Sequence, residues 1–281
     1  MRVVMNHRPT VDTVRRAVRS TRAWARAVAP GALPDFLVVG AQRCGTTSLH
    51  RYLAEHPQVR AATGKEIQFF SIHYGRGERW YRGHFPAPMA GRLSFEASPY
   101  YLFHPRAAER AAATLPNGRF IALLRDPVER AYSHYLQTRS YGAEPLTFAE
   151  AIAAEHDRLA WALRAGPDSR AAHTVLRRFS YAARGRYAEQ LARWFRHVPR
   201  ERIMVVRSED FYADPASTYA KLLDFLDLEP FLPPRFAQHT RRVERGGPPV
   251  EVARSLRDYF VPHNARLAEL LGWPDPWPVT D

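Results

Sequence analysis

The stretch "FLVVGAQRCGTTSLHRYL" (Phe36 to Leu53) constrains the fold of this chain more than any other segment. Four apolar residues, Phe36 to Val39, run into Gly40, as in a short strand buried on both faces. Four residues separate Gly40 from Gly45, and Leu49, Tyr52 and Leu53 then fall on one helical face that stops at Pro57. A strand that turns through glycines into a helix aims backbone N–H groups at one point, where the helix dipole also favours an anion. Gly40 and Gly45 permit close backbone approach, and Thr46, Thr47 and Ser48 add hydroxyls. A nucleotide triphosphatase loop carries lysine after its second glycine. This chain has Thr46 there, and its cation sits inside the loop at Arg43.

From Phe36 onward, strand-like and helical segments alternate. "RLSFEAS", "RFIALLR" and "RIMVV" read as further strands. "DPVERAYSHYLQT" opens a helix with Asp126 as N-cap, Pro127 at the first position and Glu129 at the third. Thr147 and Glu150 start another, "DPASTYAKLLDFLDL" a third, and "GRYAEQLARWFRHV" places Tyr187, Leu191, Trp194 and Phe195 at helical spacing. A last helix is expected near 250–271, and the Arg-rich stretch 166–184 reads as an irregular insertion. Such alternation predicts an α/β fold: a central, mostly parallel sheet with helices on both faces, P-loop-like and three-layered. Residues 36–281 are expected to form one domain. Residues 1–35 read as a basic, weakly amphipathic helical extension, with Asp12 the one acid in "VDTVRRAVRSTRAWARAVAPGALP". That extension suits either a solvated leader helix or peripheral contact with an anionic membrane.

The chain has 281 residues and a formal charge of 41 − 28 = +13, which points to an anionic partner. Nucleic acid, an acidic glycan, a membrane surface and a phosphate cofactor all fit that sign. Cys44 is the single cysteine, so no intrachain disulfide forms; with no apolar run long enough to span a bilayer, a cytoplasmic location is expected. Arg125 ends the strand "ALLR" where a magnesium-binding carboxylate would stand in a nucleotidase, and the histidines show no metal-ligand spacing. Cationic side chains in place of the metal apparatus point to a ligand with fewer clustered phosphates, bound without metal.

These motifs, in this order, resemble the sulfotransferases that use 3′-phosphoadenosine 5′-phosphosulfate (PAPS), in particular the heparan-sulfate and bacterial carbohydrate group. "VVGAQRCGTTSLHRYLAEHPQV" is similar to the family's 5′-phosphosulfate loop and "LLRDPVERAYSHY" to its 3′-phosphate segment. "KEIQFFS", "FEASPYY", "GRYAEQLARWF" and "LRDYFVPHNARLAELLGW" match further family segments, so the resemblance covers about 36–273.

The resemblance implies sulfuryl transfer to a hydroxyl, or an amine, of a carbohydrate or small-metabolite acceptor, with adenosine 3′,5′-bisphosphate (PAP) as product. It places Arg43, Cys44, Gly45, Thr46, Thr47 and Ser48 around the 5′-phosphate and Arg125 with Ser133 on the 3′-phosphate. Arg241, Arg245 and Gly246 fall in a loop that closes over the phosphates in relatives. Glu66 matches the general base, and Arg43 stands where most relatives carry lysine; a guanidinium suits charge stabilisation better than proton donation. Lys65, Tyr100 and His134 are candidate acceptor contacts. Relatives often carry lysine where this chain has Ala97. Two other classes fit parts of the pattern: a P-loop kinase-like phosphotransferase, which needs magnesium and a phosphate-binding lysine, and a non-enzymatic nucleic-acid-binding protein. The second calls for clustered arginines, whereas those here are spread along the chain.

Overall fold

The computed structural model describes residues 31–237 and 247–278. The expected helix within 1–35 lies almost wholly outside those residues. The described chain runs β1 (Phe36–Gly40), α1 (Thr46–Glu55), β2 (Val59–Ala61), α2 (Gly77–Arg82), β3 (Leu93–Ala97), α3 (Ala107–Thr114), β4 (Arg119–Leu124), α4 (Pro127–Ser140), α5 (Phe148–Ala153), α6 (Glu155–Arg164), α7 (Arg170–Arg178), α8 (Tyr187–Phe195), β5 (Ile203–Arg207), α9 (Ser208–Ala213), α10 (Pro215–Phe225) and α11 (Val250–Leu271).

The five strands form one sheet in the order β2-β3-β1-β4-β5, and every neighbouring pair is parallel. All five residues of β1 are buried, because helices cover both faces of the sheet's centre. Strand order reverses at β1: the chain goes from it to β2 and β3 on one side, then to β4 and β5 on the other. The crevice at the carboxyl ends of β1, β3 and β4 is therefore the switch point where open α/β sheets bind ligands.

Local side-chain caps fix four of the eleven helix starts among the described residues. Asp126 accepts from the Glu129 amide at 2.8 Å, Thr147 and Glu150 form a reciprocal capping box, and Asp214 accepts from the Ser217 amide at 3.1 Å. Two expectations need correction. The pattern after Thr147 predicted one helix; the chain breaks at Ala154 into α5 and α6. The stretch 166–184 is not irregular: Ser169 caps α7 through the Ala172 amide at 3.2 Å, and Ala172, His173 and Leu176 bury its inner face. β2, α2 and α3 add three short elements that periodicity did not reveal.

Candidate active site

The phosphate loop leaves β1 at Gly40, where a β-carbon would lie 2.5 Å from that of Leu102. The Ala41 amide is held by the Leu123 carbonyl at 2.6 Å, and the Cys44 amide turns back to the Ala41 carbonyl at 3.2 Å. Gly45 caps α1 in the left-handed region (φ 91°), with Tyr212 Oη 2.8 Å from where its β-carbon would be. No side chain caps α1 and its first turn holds no acid. The N–H groups of that turn have no capping side chain and point towards the crevice, so the local structure fits an anionic group.

Arg43 also has positive φ (72°), a conformation that costs a non-glycine residue about 1–2 kcal/mol. From there its Nε donates to Ser133 Oγ on α4 at 2.9 Å. Burial lowers the pKa of Arg43, and the neighbouring positive charge of Arg125 lowers it further. Arg125 directly follows β4 and its Nη2 reaches Glu129 Oε2 at 3.0 Å, while its carbonyl accepts from the Tyr187 hydroxyl at 2.8 Å. The structure thus brings Arg43, Arg125 and Ser133 together: two guanidiniums and a hydroxyl beside a helix N-terminus.

Lys65 and Glu66 lie in the loop after β2. Lys65 Nζ donates to Thr47 Oγ1 at 3.2 Å, tying this loop to α1; burial lowers its pKa against the opposing pull of Glu66. The Glu66 carboxylate is exposed and accepts from Gln68 Nε2. Gln68 is in turn fixed by Ser98 Oγ, which accepts its amide at 3.1 Å, and by the Ser71 hydroxyl, which donates to its Oε1 at 2.8 Å. Beneath lies Glu96 on β3, fully buried. It accepts from Ser98 Oγ (2.7 Å), Tyr101 Oη (2.7 Å), Tyr81 Oη (2.9 Å) and the Ile67 amide (3.4 Å). Burial raises the Glu96 pKa and these donors oppose the rise. Glu96 and Ser98 thus form a buried plinth for the Glu66 loop, which sequence reading did not pick out. Ala97 next to it is fully buried.

Five of the expected site residues are buried. His134 is 1% exposed; its Nε2 meets the Arg177 carbonyl at 3.0 Å, its ring packs on Tyr181, and burial drives its pKa well below the usual value. It faces the packing between α4 and α7, one position round the helix from Ser133, so the expectation of an acceptor contact is corrected. Tyr100 is likewise buried, its ring edge-on to His104 and His173. The Cys44 thiol is fully buried, 3.7 Å from the Gln42 carbonyl, and burial pushes its pKa up to about 11. The Ser48 side chain is buried with its hydroxyl 3.5 Å from Tyr212 Oη, and Thr46 is nearly buried. Arg241, Arg245 and Gly246 lie outside the described residues.

A second residue that sequence reading missed supports the loop from below. Arg184 is 2% exposed, with its guanidinium 5.0 Å from the ring centres of both Tyr100 and Phe103. It donates to Gln42 Oε1, to Ser180 Oγ (2.7 Å) and to the Leu176 carbonyl (2.9 Å), and Gln42 Nε2 donates to Gln137 Oε1 at 3.1 Å. Burial lowers the Arg184 pKa to about 9. In the sequence it falls at the end of the Arg-rich stretch that reads as an irregular insertion, so no local signal marked it.

A parallel sheet with an anion-receiving loop at its switch point, flanked by arginines, defines a nucleotide-dependent group-transfer class. The chain belongs to the sulfotransferase domain family, which matches residues 33–240. A sulfotransferase crystal structure from Alicyclobacillus acidocaldarius is 30% identical, with TM-score 0.71, and the match covers 86% of this chain and 97% of that one. Heparan sulfate glucosamine 3-O-sulfotransferase 3B1 of Mus musculus is 29% identical over 268 residues, 85% of this chain and 64% of that protein. The bifunctional heparan sulfate N-deacetylase/N-sulfotransferase 2 of Homo sapiens is 32% identical over 220 residues, 74% of this chain but 24% of that protein.

Proposed function

We propose that this chain transfers the sulfuryl group of PAPS to a hydroxyl of a carbohydrate acceptor by in-line displacement. The observation that carries the reading is the Arg43 Nε–Ser133 Oγ bond, which joins the loop after β1 to the helix after β4 above an uncapped helix N-terminus. When bound, the donor supplies the sulfuryl group and leaves as PAP. Arg43, with the α1 amides and the Thr47 hydroxyl, holds the 5′-phosphate and stabilises its developing charge. Arg125 and Ser133 hold the 3′-phosphate. Glu66, exposed at the mouth of the crevice and oriented through Gln68, takes the proton from the acceptor hydroxyl. Lys65, bonded to Thr47, brings positive charge between donor and acceptor. Relatives named for heparan sulfate favour a glycan acceptor, and the +13 charge suits an acidic one. Ala97 favours a second reading, a small-metabolite hydroxyl, because the amine that many relatives place there is missing.

The test is transfer of labelled sulfate from PAPS to a panel of desulfated heparan-type glycans, neutral oligosaccharides and small alcohols. Label in a glycan, with turnover reduced about 10²–10⁴-fold in Glu66→Gln, supports the reading. Label only in small alcohols would move the acceptor class, and turnover unchanged in Glu66→Gln would remove Glu66 as base.

A further inference from the structure

Behind Tyr100, on the side away from the phosphate loop, three side chains converge that the transfer reaction does not use. His104 follows the "SPYY" turn, Asp168 precedes the cap of α7, and His173 lies on the inner face of α7. Ligand atoms of the three all lie within 4.8 Å of one another. His104 is 0% and His173 4% exposed, and their rings stack with centroids 5.3 Å apart. His104 Nε2 and both ring nitrogens of His173 are buried with no hydrogen-bond partner. Leaving such atoms unsatisfied costs about 1–3 kcal/mol each; an ion that bonds one nitrogen of each ring satisfies two of the three.

We propose that His104, Asp168 and His173 form a binding site for a divalent cation of the zinc class. A metal bonds a deprotonated imidazole nitrogen, and each ring has a buried nitrogen facing the cluster. His104 Nε2 faces the cluster, 3.9 Å from Asp168 Oδ1; a metal there requires the ring proton on Nδ1, so binding gives up the 3.3 Å bond that Nδ1 accepts from the Arg106 amide. The other carboxylate oxygen, Oδ2, is held by Arg106 Nη1 and Arg110 Nη2, each at 2.7 Å. Hydrogen bonds of that kind orient a ligating carboxylate. The same guanidiniums repel a cation, which disfavours magnesium and calcium, bound chiefly through charge and oxygen. An ion that bonds imidazole nitrogen strongly meets this environment better.

Tetrahedral zinc with bonds of about 2.0–2.1 Å places its ligand atoms about 3.3 Å apart, so the widest pair must close by about 1.5 Å. That adjustment falls on the α6–α7 connection, where Gly166, at φ 88°, precedes Asp168. The bound ion joins α7 to the turn after β3. Through Tyr100, against which both histidines pack, it also braces Arg184 and hence Gln42 in the phosphate loop. The site therefore acts as a structural clamp behind the donor pocket.

The experiment titrates the full chain, untagged and stripped of metal, with zinc alone against a chromogenic chelator, and with cobalt for its visible spectrum. The expected result is one zinc per chain. Affinity should fall by about 100-fold or more in both His173→Ala and Asp168→Asn, above the range for outer partners, and hold in His197→Ala, a control at an exposed histidine. Cobalt should give the intense visible bands of a four-coordinate site in wild type and lose them in the first two variants. Circular dichroism checks that each variant is folded; His104→Ala is left out because that side chain is fully buried. Absence of stoichiometric binding, or binding that survives in either His173→Ala or Asp168→Asn, would overturn the site.

Discussion

Arg43 and Ser133 stand 90 residues apart and are joined by a hydrogen bond of 2.9 Å between Nε and Oγ. The pair couples the two segments proposed to hold the donor's phosphates: the loop that leaves β1 and the helix that follows β4. A serine in the interior of α4 would otherwise face solvent or bond back to its own helix; here it is the anchor of the loop's one guanidinium.

Coupling of that kind has a measurable signature. Arg43→Ala should weaken both PAP and adenosine 5′-phosphate, while Ser133→Ala should weaken PAP more. Loss of a hydrogen bond to a charged group costs about 1.5–3 kcal/mol, tenfold or more in affinity. A double-mutant cycle by calorimetry should give a coupling energy of about 0.5–3 kcal/mol. Strictly additive losses would mean that the contact carries no part of donor binding.

Arg125 differs in kind, since its partner Glu129 shares its charge from one helical turn away. Arg125→Ala should weaken PAP by about 2 kcal/mol and leave adenosine 5′-phosphate nearly unchanged. Equal losses for the two nucleotides would make Arg125 a structural residue of the β4–α4 turn.

Stability should depend on pH through the buried histidines. His134 is kept neutral first by burial and then by Arg184 and Arg130; His84 falls to about 4 through burial and Arg76. In the unfolded chain both take a proton near the ordinary histidine value of about 6.5. The unfolded state then binds more protons than the folded state between about pH 6.5 and 4. Stability is therefore fully present above 6.5 and lost as pH falls through that window, by up to about 1.4 kcal/mol per pH unit for each group. Urea midpoints measured from pH 7.5 to 5 should decline, and His134→Phe should flatten the slope. A flat profile in the wild type would contradict the burial of neutral imidazoles.

Elements whose code is local were legible in the sequence. "FLVV", "RFIALL" and "IMVV" are continuous apolar runs because both faces of a central parallel strand are covered, and the caps at Asp126, Thr147 and Asp214 are chemical signals within four residues. β2 is three residues long and carries Arg60, too short for a period to show. α7 hid because arginine is read as solvated, yet Ala172, His173 and Leu176 form its buried face. Arg184 and Glu96 are buried charges whose satisfaction depends on partners far along the chain: Gln42 and Ser180 for one, Tyr81, Ser98 and Tyr101 for the other. In the His104–Asp168–His173 cluster, His104 comes from the turn before α3 and the other two from the start of α7, so no single spacing announced it. Order along the chain singled out the loop after β1 and the segment after β4; that Arg43 reaches Ser133, and that His134 turns inward, is a matter of tertiary packing.

The measurement that bears most directly on the central claim is calorimetric titration of the full chain with PAP and with ATP, each with and without magnesium. PAP should bind tightly whether or not magnesium is present, and should raise the thermal midpoint by binding the folded state. ATP should bind far more weakly, because its β- and γ-phosphates find neither a lysine after Gly45 nor a carboxylate at Arg125. Tight, magnesium-dependent binding of ATP together with weak binding of PAP would contradict the sulfotransferase reading of this site.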